Sequence, residues 1–140
     1  MTYTHTVTVP FSWEEAVERT RTALAGQGFG ILSEINVRNT FDAKLGTEAA
    51  EALGPYVILG ACNPQLASKA LAAEPDLGAL LPCNVVVRRG TNDTVTTVQA
   101  IDPQTMVRLS DSAAVRDVAN DADARLRAAL AELSATAPAG

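Results

Sequence analysis

The chain has 140 residues, the usual size of one folded domain, and 47% of them are hydrophobic, which supplies enough apolar surface for a core. Only 4% are aromatic, so that core is predicted to consist mainly of Val, Leu, Ile and Ala. A net charge of −5 without a basic cluster argues against binding to nucleic acid or to an anionic membrane surface.

The first half of the chain shows the periodicities of alternating strands and helices. The spacing of Ser12 and Glu15 is that of a capping box, in which each side chain satisfies a free N–H group of the first helical turn. Gly26 and Gly28 are typical of the end of that helix. In chain order, the pattern predicts a strand over about 3–10, a helix from 13, a second strand over 29–37, a short helical turn over 41–45 and a connection over 47–54 that can include a helical turn.

The second half begins with the most apolar segment of the chain, at 56–62. A continuous apolar run of this length is typical of a strand in the middle of a sheet. Asn63 and Pro64 then have the residue types of a helix N-cap and a first helical position. The remaining predicted elements are a helix to about 73, an apolar link over 77–81, a hairpin of 83–89 and 94–101 around a turn at 90–93, a long helix over 112–133 and a disordered tail over 135–140.

These elements predict a single α+β domain over 1–134. We expect two layers: a sheet of about five mainly antiparallel strands, and the first and last helices packed on one of its faces. The last helix is also a candidate dimer surface, because symmetric dimers are the commonest oligomers. No apolar run approaches the roughly 20 residues of a membrane span, and the first residues lack the pattern of a signal peptide. We therefore expect a soluble cytoplasmic protein with reduced cysteines.

Several central segments together resemble a known family, the domain of unknown function 302. They are KLG at 44–46, YVILGACNP at 56–64 and LLPCNVVV at 80–87, with GFGILSEI at 28–35 and AIDP at 100–103. The resemblance covers about residues 3–133. It implies a small α+β fold, with helices on one sheet, that forms a homodimer, and it implies no activity. The connection between Gly46 and Tyr56 is longer than is usual in the family, and Asn36 stands where an acidic residue is common.

Cys62 is the first candidate site residue, because it ends a central strand directly before a helix. The partial positive charge of a helix N-terminus favours a thiolate, so a reactive or ligand-binding thiol is one interpretation. The alternative is that cysteine is a small apolar residue that fits a tight turn from strand to helix.

Cys83 is the second candidate, because Asn84 follows it as Asn63 follows Cys62. The repeated Cys-Asn pair suggests that the two thiols lie near each other, as a disulfide or as two ligands of a soft metal, if their Cα atoms are within about 7 Å. Two cysteines do not complete a structural zinc site, which takes four ligands. We therefore predict no closed metal site within one chain, and a site shared across a dimer stays an alternative.

Four more residues are candidates for a ligand-binding pocket: Asn63, Asn84, Lys44 and Tyr56. The two asparagines have amides that can bind a ligand. The alternatives are that Asn63, before a proline, caps a helix and that Asn84, after a cysteine, bonds nearby backbone. The lysine can pair with an anion or lie solvated at a helix end. The tyrosine can donate a hydrogen bond into a pocket or pack against the core.

Three hypotheses for the function follow. The first is a module that binds a small molecule or a metal ion in a pocket around the two Cys-Asn motifs. The second is a thiol-dependent redox protein or enzyme in which Cys62 is the reactive thiol and Cys83 its partner. The third is a structural or interaction homodimer that binds no ligand and whose cysteines belong only to the core. The sequence has no phosphate-binding glycine motif and a single histidine, His5, so it identifies no cofactor and no enzyme class.

Overall fold

The computed structural model describes residues 2–136, and one antiparallel sheet forms the centre of the fold in this range. Its strands are β1 (Thr4–Val9), β2 (Gly30–Asn36), β3 (Tyr56–Cys62), β4 (Cys83–Arg88) and β5 (Thr96–Ile101). They lie in the order β1-β5-β4-β3-β2, so the first two strands of the chain are the two edges. Every neighbouring pair is antiparallel, as expected from the sequence.

Helices connect the strands and cover one face of the sheet. The helices are α1 (Trp13–Gly26), α2 (Val37–Leu45), α3 (Thr47–Leu53), α4 (Pro64–Ala73), α5 (Gln104–Val107) and α6 (Ala113–Thr136), with a 3-10 helix over Pro75–Leu80. The first and the last helix pack against each other and against the sheet. This arrangement confirms the predicted α+β fold with helices on one face.

The core has two parts. The larger part lies between the sheet and the helices α1 and α6, where Leu59 and Leu126 are fully buried. The smaller part lies between α4, the 3-10 helix, α5 and the first half of α6, where Leu77 and Ala119 are buried. Because the apolar stripe of α6 contributes to both parts, that stripe is used within the chain. The homodimer expected from the sequence stays a prediction.

The first helix is fixed at its start by two hydrogen bonds. Ser12 Oγ accepts from the backbone N–H of Glu15 at 3.2 Å, which is the cap that the sequence predicts. Trp13 Nε1 donates to the backbone oxygen of Val87 at 2.9 Å, which ties the helix to β4. These bonds hold α1 in place over the centre of the sheet.

Some predicted boundaries were wrong. α2 begins at Val37 rather than at 41, directly after β2, because the side chain of Asn36 accepts from Asn39 N at 2.9 Å and caps the helix without an intervening turn. The connection over 47–54 is largely helical, and the apolar link is a 3-10 helix that begins at Pro75. Residues 135 and 136 belong to α6, and the rest of the predicted tail, 137–140, lies outside the described residues.

The second face of the sheet is the less buried one: Ile58 and Val86 are half-buried there, whereas their strand neighbours Val57 and Val85 are buried, and we call it the open face. Side chains alternate between the two faces along a strand, so the register places Ile35 and Ile58 side by side on the open face, with Val86 beside them. Ile35 is 50% exposed. Among residues 2–136, no helix is long and apolar enough to cross a membrane.

Candidate functional site

A narrow cavity lies between the two parts of the core, where the ends of β3 and β4 meet α4 and α6. Its volume is about 40 Å³, which leaves room for only a few atoms, since a water molecule needs roughly 10–15 Å³ of such space. Its wall is apolar except for the two cysteines and Asn63. The cavity therefore combines a mainly apolar wall with two cysteines.

Cys62 and Asn63 lie where β3 ends and α4 begins. Cys62 is half-buried and is the last residue of the strand. Asn63 is the N-cap of α4: its Oδ1 accepts from the backbone N–H of Leu66 at 3.2 Å. The capping role that the sequence suggests for this asparagine is therefore present. Because the ten-residue helix starts here, its positive end lies next to Cys62 in the chain.

Cys83 is the first residue of β4, and its side chain is buried. It pairs with Ala61 across the sheet, so it lies beside the residue that precedes Cys62. Burial raises the pKa of the Cys83 thiol to about 11, and the nearby Cys62 thiol adds to that increase through repulsion between the two negative charges. The two cysteines are thus neighbours, and both are free thiols.

Met106, which no sequence motif singled out, also lines the cavity. It belongs to the short helix α5 and is 6% exposed. Its thioether is the third sulfur-bearing side chain at this cavity. An isolated apolar residue in a four-residue helix has no distinctive sequence signal, and only the packing of α5 on α6 brings it to the cysteines.

The other three candidates do not lie at this cavity. Tyr56 and Asn84 line a shallow depression of about 450 Å³ next to β1, and their side chains point to the open face because both alternate with buried neighbours. Lys44 is exposed in the last turn of α2 and lines neither space. The structure therefore brings together three of the six candidates: Cys62, Asn63 and Cys83.

The fold and the cavity define the protein as a small α+β domain with a five-stranded antiparallel sheet, helices on one face and two cysteines that line one narrow cavity. The family model "Domain of unknown function DUF302" matches residues 5–133, and the chain belongs to this family. A search of curated proteins finds no match.

One solved structure is closely similar over almost its whole length. It is described as the crystal structure of an uncharacterized conserved protein DUF302 from Bacillus stearothermophilus. The two chains share 28% sequence identity with a TM-score of 0.82, and the match covers 95% of this chain and 99% of the other. The similarity supports the fold and the family, and neither description includes an activity.

Proposed function

We propose that the protein binds a soft metal ion of the Cu(I) class between the thiols of Cys62 and Cys83. The observation that supports this proposal is that three sulfur-bearing residues, Cys62, Cys83 and Met106, line one narrow apolar cavity. Thiolate and thioether sulfurs are the ligands that Cu(I) prefers in proteins, and two or three of them suffice for this ion. This is the metal-ion form of the first hypothesis from the sequence.

The size and the polarity of the cavity favour this class of ligand over others. A volume of about 40 Å³ admits a single ion or a few atoms, but not an organic molecule of ordinary size. Hard ions such as Mg²⁺ and Ca²⁺ take oxygen ligands and keep bound water molecules. The mainly apolar wall of the cavity offers few oxygen ligands for such an ion. A weakly hydrated ion with sulfur ligands is compatible with these walls.

Charge and protonation make the binding dependent on pH. Two thiolates and one Cu(I) ion leave one negative charge, which the positive end of α4 stabilises. The Cys83 thiol, with a pKa of about 11, is protonated at neutral pH, so binding must release its proton. Apparent affinity therefore increases about tenfold per pH unit for this proton alone, at pH values below 11.

The thiol-redox hypothesis is less well supported by the same residues. A partner thiol that closes a disulfide must first ionise, since the thiolate is the nucleophile. With a pKa of about 11, roughly one Cys83 thiol in ten thousand is ionised at pH 7. A metal ion can displace that proton during binding, whereas a resolving thiolate must form without such help.

An anaerobic titration of reduced protein against a coloured Cu(I) chelator tests the proposal. We expect one Cu(I) ion per wild-type chain and an affinity at least tenfold lower for both Cys62→Ser and Cys83→Ser. Met106→Leu, which keeps the side-chain volume, tests the thioether separately. Ala67→Ser is a matched control, because it adds a hydroxyl group to the cavity wall without removing sulfur.

Two results would contradict the proposal. One is equal affinity of the wild type and a Cys62→Ser/Cys83→Ser double variant for Cu(I). The other is the absence of Cu(I) binding by a correctly folded wild-type protein. A rapid disulfide between the two cysteines on mild oxidation would then favour the redox hypothesis, and a dimer with slowly reacting thiols would favour the structural one.

A further inference from the structure

Outside the cavity, three side chains with metal-ligating atoms converge between β1 and α6. They are His5, Asp102 and Asp123, and one ligand atom from each lies within 4.8 Å of the other two. His5 Nε2 is 2.5 Å from Asp123 Oδ1 and 3.6 Å from Asp102 Oδ1. The side chains are only 15–17% exposed, so this is a partly buried cluster and not a solvated acidic surface.

The sheet order explains why residues so distant in the sequence meet. β1 pairs with β5, and His5 lies opposite Ala100. Asp102 follows Ala100 by two positions, and its backbone N–H donates to Tyr3 O at 2.9 Å, which extends the pairing beyond the strand end. Side chains two positions apart point to the same face, so Asp102 and His5 share the helix-covered face. There α6 packs on β1 and contributes Asp123.

Each of the two carboxylates also accepts a hydrogen bond from a group outside the cluster, which holds it in position. The backbone N–H of Gln104 donates to Asp102 Oδ1 at 2.9 Å. Arg127 Nε donates to Asp123 Oδ2 at 3.0 Å, which leaves the other oxygen of that carboxylate directed at the histidine. Groups that orient metal ligands in this way are common around metal sites in proteins. The Arg127 side chain is 62% exposed, so it does not close the cluster from solvent.

The separations between the ligand atoms can be compared with those of a metal site that has three protein ligands. Ligand atoms about 2.1 Å from an ion are separated from one another by about 3–3.5 Å in octahedral or tetrahedral geometry. The two His–Asp separations, 2.5 and 3.6 Å, lie on either side of this range, and all three ligand atoms lie within 4.8 Å of one another. Three protein ligands also leave coordination positions for water or a substrate.

We propose that His5, Asp102 and Asp123 form a site for a divalent first-row transition-metal ion, such as Mn²⁺ or Zn²⁺. The two carboxylates balance the charge of the ion, and an imidazole ligand favours such metals over Mg²⁺ and Ca²⁺. This site is separate in residues and in chemistry from the sulfur-lined cavity. Because it joins the first strand to the last helix, a bound ion stabilises the packing of β1 against α6.

Binding of Mn²⁺ tests this proposal selectively, because Mn²⁺ prefers nitrogen and oxygen ligands to thiolates. The signal of free Mn²⁺ in electron paramagnetic resonance decreases as the ion binds. We expect one Mn²⁺ per wild-type chain, and an affinity at least tenfold lower for His5→Gln and for Asp123→Asn. Asp117→Asn is the matched control: it removes the same charge from an exposed position of the same helix and should bind like the wild type.

Mapping on the wild-type protein makes the test independent of whether the variants fold. Paramagnetic broadening of amide signals by Mn²⁺ should be strongest near Ala100, Asp102 and Asn120, and weak at Cys62. The Cys62→Ser/Cys83→Ser variant should keep its Mn²⁺ affinity, so this proposal and the Cu(I) proposal can fail independently. Broadening spread over exposed carboxylates, or equal affinity of the wild type and His5→Gln, would overturn the site and identify the cluster as a structural ion-pair group.

Discussion

Raising the pH should destabilise the protein because the buried thiol of Cys83 resists ionisation in the folded chain. Burial and the neighbouring Cys62 raise the pKa of this thiol from 9.0 to about 11 in the folded chain. A group with a raised folded-state pKa contributes stability that is fully present below its unfolded pKa and is lost as the pH rises through the folded pKa. A difference of about two pKa units is equivalent to about 3 kcal/mol, most of it lost between pH 9 and pH 11.

Urea unfolding followed by circular dichroism at several pH values from 8 to 11 measures this loss. Other groups also ionise in this range. Their contributions cancel in the difference between the unfolding free energies of the wild type and of Cys83→Ala, so this difference is the quantity to compare. We expect the advantage of the wild type over this variant to shrink by about 2 kcal/mol at pH 11. Cys62→Ser should retain most of the pH dependence, because burial is the larger cause. Parallel stability curves for the wild type and Cys83→Ala would refute the reasoning.

Five further variants, two of them controls, test the packing by urea unfolding. Gly54→Ala should lose at least about 1 kcal/mol of unfolding free energy, because φ is +78° there and a Cβ would lie 2.5 Å from a backbone oxygen. Gly26→Ala is its control and should lose none, because a Cβ at Gly26 has no neighbour within 4 Å. Trp13→Phe should lose about 1 kcal/mol with its hydrogen bond to β4, and an unchanged stability would contradict that bond's role. Leu126→Ala should lose about 2–5 kcal/mol, and the more exposed Leu71→Ala less than about 1; similar losses for both would contradict the core assignment.

Local sequence signals predicted most of the elements. The caps at Ser12 and Asn63 and the apolar run at 56–62 each depend on neighbouring residues, so they can be recognised without the fold. The start of α2 could not be recognised in the same way. It follows β2 without a glycine or proline, and Asn36 both ends the strand and caps the helix. A boundary marked by a single residue gives little sequence signal.

The sequence predicted the candidate sites only where their residues are close together in the sequence or share a repeated motif. Cys62 and Asn63 are adjacent in the chain. The repeated Cys-Asn pair only suggested that Cys83 is near them, and it is the pairing of β3 with β4 that places Cys83 opposite Ala61. Met106 joins them through the packing of α5 on α6, which no periodicity predicts. The contact of His5 with Asp123 joins two residues 118 positions apart, and it forms because the last helix packs on the first strand.

X-ray absorption at the copper edge, measured on Cu(I)-loaded wild-type protein, tests the proposed function most directly. The account predicts a first coordination shell of sulfur alone, with two sulfur atoms from Cys62 and Cys83 and a third if Met106 takes part. A first shell of nitrogen or oxygen atoms, or a spectrum that the Cys62→Ser/Cys83→Ser variant reproduces, would contradict it.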